Sequence, residues 1–132
     1  MPICAEMFRS KRDVDRYVAE LEEKIPSVTE RALKYFTVAR LYFNIGESDL
    51  ALKHLDKYCE VRSSSAPSYK FRGQVLENLA DKGPQEQAYV HKLAAVEAYK
   101  TSYELDLSQK ELLIKICELM AHLPVRDIER TR

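Results

Sequence analysis

The stretch LKYFTVARLYFNIGESDLALKHLDKYCEV, residues 33–61, constrains the fold more than any other part of the chain. Tyr35, Val38, Ala39 and Tyr42 recur at offsets that put them on one face of an α-helix. A turn signal follows at Gly46 and Glu47, and Ala51 and Leu55 then mark the apolar face of a second helix. Two antiparallel helices approach closely only where small side chains meet the crossing and bulky neighbours fill the flanking grooves. Ala39 and Ala51 are those small residues. The stretch reads as a helical hairpin, and a lone hairpin leaves an outer face that further helices must cover.

The pattern returns. Tyr69 follows Tyr35 by 34 residues, and Gly73 follows Ala39 by 34. Ala95 and Tyr99 repeat the spacing of Ala51 and Leu55. A period of 34 residues is that of the tetratricopeptide class. Arg72 stands where that pattern prefers an aliphatic side chain. Ala39 lies 12 residues before Ala51, but Gly73 lies 22 before Ala95, so ten extra residues fall near 82–91. They extend a helix or lengthen the loop before it. Beyond them the register recovers, because Ala51 to Gly73 and Ala95 to Cys117 are both steps of 22. Leu113, Ile116, Cys117 and Met120 thus open a third unit, with Cys117 as its small residue.

Punctuation supports this division. Ser10 is placed to cap a first helix carrying Val14, Tyr17, Val18, Leu21 and Ile25, which Pro26 ends. Ser27 with Glu30 forms a capping box, Gly46 stops the next helix, and Ser48 restarts the chain with Asp49 in the first turn. Pro67 suits the first turn of a helix reaching about Leu79. Asp81 to Pro84 is a turn, a long helix follows over 85–106, and the box Ser108 to Glu111 opens the last one. Residues 1–9 form a flexible lead, and 10–132 form a single helical domain at the start of a longer array. The expected fold is all-α: six or seven helices, as tetratricopeptide-like antiparallel hairpins in a short α-solenoid of about two and a half repeats plus an N-terminal helix. The closing VRDIERTR begins a partner helix for the third unit. Without a polar cap, Leu112, Leu113, Ile116 and Leu119 offer a surface for continuation or self-association.

Composition narrows function. Hydrophobic residues are 45% and charged residues 32%, with 3 Gly and 5 Pro, which suits a packed helical chain. The 21 basic and 21 acidic residues cancel, which disfavours a dedicated duplex-DNA binder. No apolar run approaches the length of a membrane span. The N-terminus lacks the apolar core of a signal peptide. Cys4, Cys59 and Cys117 are distant and odd in number, as expected of reduced thiols.

Catalysis has little support. His54, His91 and His122 are scattered, no Cys/His pair has zinc-ligand spacing, and there is no Gly-rich phosphate loop. The three His are expected at the surface or at helix edges, and Cys59 and Cys117 as small core residues. Neither an enzyme activity nor a cofactor is expected. Two surfaces are better candidates. The side of each hairpin's first helix away from its partner offers Phe36, Arg40 and Phe43, then Lys70, Phe71 and Gln74, as a groove for an extended peptide or stacked bases. The competing placement packs those Phe rings on the N-terminal helix through Val14, Val18 and Leu21. Arg9, Lys11, Arg12 and Arg16, with Lys53, Lys57 and Arg62, form a basic candidate surface for single-stranded RNA. Its competing reading is an ordinary solvated face.

Several segments carry a family resemblance: Phe8 to Lys11, Asp13 to Tyr17, Ala39 to Tyr42, Asp49 to Ala51, Tyr103 to Asp106, and Gln109 to Leu119. In collinear order, from about Phe8 to Leu123, the chain resembles the opening of the giant Ran-binding nucleoporin family of the cytoplasmic pore filaments. The departures are residues 1–7 and the insertion near 82–91. The resemblance implies a helical docking module at the nuclear envelope, on the cytoplasmic face of the nuclear pore complex. Its partners would be other nucleoporins, and its role would be support of protein and mRNA transport. The family's Ran-binding, zinc-finger, ligase and isomerase-like modules lie elsewhere in those proteins, so their activities do not carry over. Chaperone-binding tetratricopeptide domains would want a Lys and an Asn where Phe36 and Arg40 stand, so a co-chaperone role is disfavoured.

Overall fold

The computed structural model describes residues 8–62 and 65–123. These residues form six α-helices: α1 Lys11–Lys24, α2 Val28–Asn44, α3 Ser48–Val61, α4 Ala66–Lys82, α5 Gln85–Leu105 and α6 Lys110–Ala121. The chain divides into two compact units, Met1–Ser63 with α1 to α3 and Ser64–Arg132 with α4 to α6. The all-α hairpin architecture expected from the small-residue pattern is what forms.

In the first unit, α2 and α3 pair as the sequence pattern requires. Val38, Ala39, Ala51 and Leu55 are all fully buried, and Tyr35 and Tyr42 nearly so. The turn between them depends on Gly46, whose φ of 86° lies in the left-handed region that costs an L side chain about 1 kcal/mol or more. Ser10 and Ser27 cap α1 and α2, each accepting from the backbone N–H three residues on. Such caps contribute about 1 kcal/mol each. Helix α3 starts at Ser48 with Asp49 in its first turn, as expected. Ser48 is its first residue and is buried, while Glu47 occupies the cap without a side-chain bond.

Helix α1 is fastened to this hairpin at both ends. Val14 and Leu21, two turns apart, are its buried positions. The Tyr42 hydroxyl donates to the Asp15 carboxylate, which also pairs with Lys11 at 2.8 Å. At the other end, Arg31 Nη1 donates to the carbonyls of Glu22 and Ile25, both at 3.3 Å, where the end of α1 leaves acceptors unsatisfied. Phe8, just before α1, sets its ring edge-on to Tyr17 at 5.5 Å. Residues 1–7 lie outside the described residues.

In the second unit, α4 and α5 cross at Gly73. A Cβ there would lie 2.5 Å from Cε1 of Tyr99, so the ring occupies the space that an alanine side chain would need. The ten-residue insertion goes into helix. Compared with the first hairpin, α4 runs four residues further past its small residue, α5 starts seven residues earlier before Ala95, and the loop is one residue shorter. Helix α6 is positioned by Gln109. Its amide donates to the Ser102 carbonyl at 3.0 Å and to Ser102 Oγ at 3.1 Å, and Ser102 Oγ donates to the Ala66 carbonyl at 2.7 Å. The expected capping box is not what opens α6. Ser108 Oγ turns back to Asp106 at 2.6 Å, and Gln109 is the cap residue.

Candidate docking cleft

The second unit contains a cleft of about 320 Å³ lined from all three of its helices. Lys70, Gln74 and Glu77 come from α4, where spacings of four and three place them on one face. Glu111, Leu112 and Lys115 come from α6, and the Tyr99 ring from α5. Tyr99 and Leu112 are nearly fully buried, so they form its apolar depth. Two ion pairs join the walls: Lys115 to Glu77 at 2.9 Å, and Lys70 to Glu111 at 3.5 Å. Glu77 is the more enclosed anion, with its side chain 18% exposed, and its second oxygen accepts from the Tyr99 hydroxyl. Burial, reinforced by that bond to a carboxylate, pushes the Tyr99 phenol up.

The expected groove residues divide between the two units, each described by itself. Lys70 and Gln74 do line the cleft. Phe71 does not, because it is buried at 3% exposure and belongs to the core. Phe36 was expected on the side of α2 away from its partner helix. Instead its ring packs at 5.2 Å on Tyr58 of that partner, α3, with the Arg40 guanidinium 4.8 Å above it. Phe43 is half-buried in the first unit. The cleft residues that sequence reasoning missed are Glu77, Tyr99, Glu111 and Lys115. The signal was the α4 spacing 70, 74, 77, which shares a face, set against the α6 spacing 111, 115.

Three further expectations change. His54 is not at the surface but 6% exposed, between the rings of Tyr35 at 5.0 Å and Tyr42 at 5.2 Å. Its Nδ1 faces the Leu50 carbonyl at 2.9 Å and is therefore the protonated nitrogen. Cys117 is exposed rather than core, and Cys59 is half-buried. Of the candidate continuation surface, Leu112, Ile116 and Leu119 are buried, and only Leu113 is exposed, beside the exposed Ile114. The reason is register. Leu112, Ile116 and Leu119 are spaced along the buried face of α6, whereas Cys117 repeats the position of Ala39 and Gly73. In the two hairpins that position is covered by a following helix. The segment VRDIERTR, expected to begin such a helix, lies outside the described residues.

All seven basic candidates sit in the first unit and are exposed: Arg9, Lys11, Arg12 and Arg16 at α1, Lys53 and Lys57 on α3, and Arg62 at its end. Lys11 is engaged by Asp15, and Lys57 lies 5.5 Å from the Tyr35 ring centroid. Among the described residues, no helix is long and apolar enough to cross a membrane. No group of three His, Cys, Asp or Glu among them could hold a metal ion.

No protein-family model matches the chain. Individual proteins do. It is 37% identical over 123 residues to the E3 SUMO-protein ligase RanBP2 of Homo sapiens and to that of Pan troglodytes, covering 92% of this chain. The RANBP2-like and GRIP domain-containing protein 8 of Homo sapiens shows the same 37% over 123 residues. The chain spans only 3% of the RanBP2 length and 6% of the latter's. With that similarity extending over 92% of its length, this all-α chain is a RanBP2-related region.

Proposed function

We propose that the chain is a non-catalytic docking module of a nuclear pore component. It acts at the nuclear envelope, on the cytoplasmic face of the pore, and supports protein and mRNA transport through contacts with other nucleoporins. The observation that carries this reading is the 37% identity to RanBP2 across 92% of the chain. It is supported by antiparallel helical hairpins held together by packing, and by an open cleft between α4 and α6 of the second unit. A fluorescently tagged copy of the full chain in cultured cells is expected to concentrate at the nuclear rim. A uniform signal from a tagged chain that is folded by circular dichroism would overturn the reading.

A second reading is weak binding of single-stranded RNA. It is favoured by the exposure of all seven basic candidates on one unit. Labelled oligouridine is expected to bind at low ionic strength and to be lost at moderate salt, as phosphate contacts require. Changing Lys53 and Lys57 together to Glu should abolish that binding. Its absence from the wild-type chain at low salt removes this reading.

A further inference from the structure

We propose that the outer face of α6 pairs with the same helix of a second copy of this chain, antiparallel and centred on Ile114. This inference goes beyond the docking reading and does not rest on it. Helix α6 buries Leu112, Ile116 and Leu119 inside the second unit. Its opposite face is also apolar. Ile114 is 64% exposed, Leu113 at the edge of that face is 43% exposed, and Cys117 and Ala121 are exposed as well. Of the twelve residues of α6, only Lys110, Glu111, Lys115 and Glu118 are charged. A helix that is apolar on both faces is one that is covered on both.

The charges specify what covers the outer face. Glu111 and Lys115 are engaged with Lys70 and Glu77 of α4. Lys110 and Glu118 are exposed and form no ion pair among the described residues. They stand four residues before and four after Ile114, about 6 Å along the helix axis on either side of it. A two-fold contact must be self-complementary: where residue i meets j, j meets i. Two α6 helices laid antiparallel across Ile114 satisfy this, because Lys110 of each copy meets Glu118 of the other. The same register brings the exposed Leu107, seven residues before Ile114, towards Ala121, seven residues after it, so that a bulky side chain meets a small one. A parallel pair would instead set Lys110 on Lys110 and Glu118 on Glu118. Each copy contributes one short helix, so the buried area falls at the low end for protein contacts and the association is reversible.

The test is sedimentation equilibrium of the full chain over a range of loading concentrations, with reductant present so that Cys117 forms no cross-link. A reversible monomer–dimer equilibrium is expected. Ile114→Glu sets two carboxylates together on the axis and should weaken it about a hundredfold. Because Ile114 is 64% exposed, that variant should keep the parent's denaturation midpoint at dilutions where the parent is monomeric. Lys110→Glu and Glu118→Lys should each weaken self-association about tenfold. An equimolar mixture of these two variants should recover the dimer, because every outer-face charge then meets its opposite. The chain carrying both changes should dimerise like the parent. A parent chain that stays monomeric up to about 0.5 mM, where even a millimolar association would show, overturns the proposal. So does a dimer indifferent to Ile114→Glu, or a mixture of the two charge variants that associates no better than either alone. A lowered midpoint for Ile114→Glu at those dilutions would assign the face to an occupant within the same chain, and likewise overturns it.

Discussion

Gly73→Val is expected to lower stability by about 3 kcal/mol or more, enough to shift the chemical denaturation midpoint well below that of the parent chain. A Cβ at this position would stand 2.5 Å from Tyr99 Cε1 and 2.7 Å from both Cδ1 and Cζ. Separations under 3 Å are not tolerated, so either the ring or the helix must move. Neither moves freely. Tyr99 is 2% exposed and its hydroxyl is bonded to Glu77, which is itself paired with Lys115. Shifting α4 outward would open the closest crossing of the second unit. The opposing effect is smaller, since Gly to Ala within a helix gains about 1 kcal/mol of propensity. Gly73→Ala should therefore be destabilising by about 1–2 kcal/mol, and Val, with two further methyls, by more. A double-mutant cycle identifies the obstacle: in a Tyr99→Ala background the cost of Gly73→Ala should largely vanish. A parent-like midpoint for Gly73→Val would show that α4 and α5 do not cross at this residue.

The same crossing shows why much of the architecture was legible before any coordinates. Small residues at helix crossings are a steric requirement, so the 34-residue return of Ala39 at Gly73 reports on packing rather than composition. Helix ends are equally readable where a side chain supplies the missing partner, as at Ser10 and Ser27. Ser108 failed because Asp106 offered its hydroxyl a nearer acceptor and Gln109 reached back to Ser102. Side-chain placement was harder. A helical wheel tells which residues share a face but not which of two faces a neighbouring helix covers. Phe71 went to the core and Phe36 to the α3 side for that reason. Cys117 is exposed although free Cys is usually a buried residue, because it lies off the face of α6 that carries Leu112, Ile116 and Leu119. The cleft was half visible, through Lys70 and Gln74. Its other wall depended on where α6 would settle, which Gln109, Ser102 and Ala66 decide through contacts distant in sequence.

His54 is the residue whose role the sequence most concealed, and it makes the first unit sensitive to acid. Burial between Tyr35 and Tyr42 is the chief cause that holds its pKa below the ordinary value of 6.5. The Leu50 carbonyl and Asp15 of α1 push it up, and Lys53 and Lys57 push it down, but burial prevails. The sign follows directly. Above pH 6.5 the imidazole is neutral in both the folded and the unfolded chain, and its full contribution is present. As pH falls below 6.5 the unfolded chain takes up the proton first, so stability declines until the folded pKa is passed. Asp15, held below its ordinary 3.8 by Lys11 and then Tyr42, adds a loss in the same direction at lower pH. Denaturant titrations between about pH 8 and pH 5 should show this decline in the parent chain. His54→Phe keeps a ring between the two tyrosines and should flatten the curve over that interval. His54→Ala should cost about 2–3 kcal/mol near pH 8, because it empties the space between two packed rings, and less as pH falls, because it also removes the titrating group. If His54→Phe retains the parent's decline, the titrating group lies elsewhere. The aromatic sandwich would then fasten α2 to α3 without making that contact depend on pH.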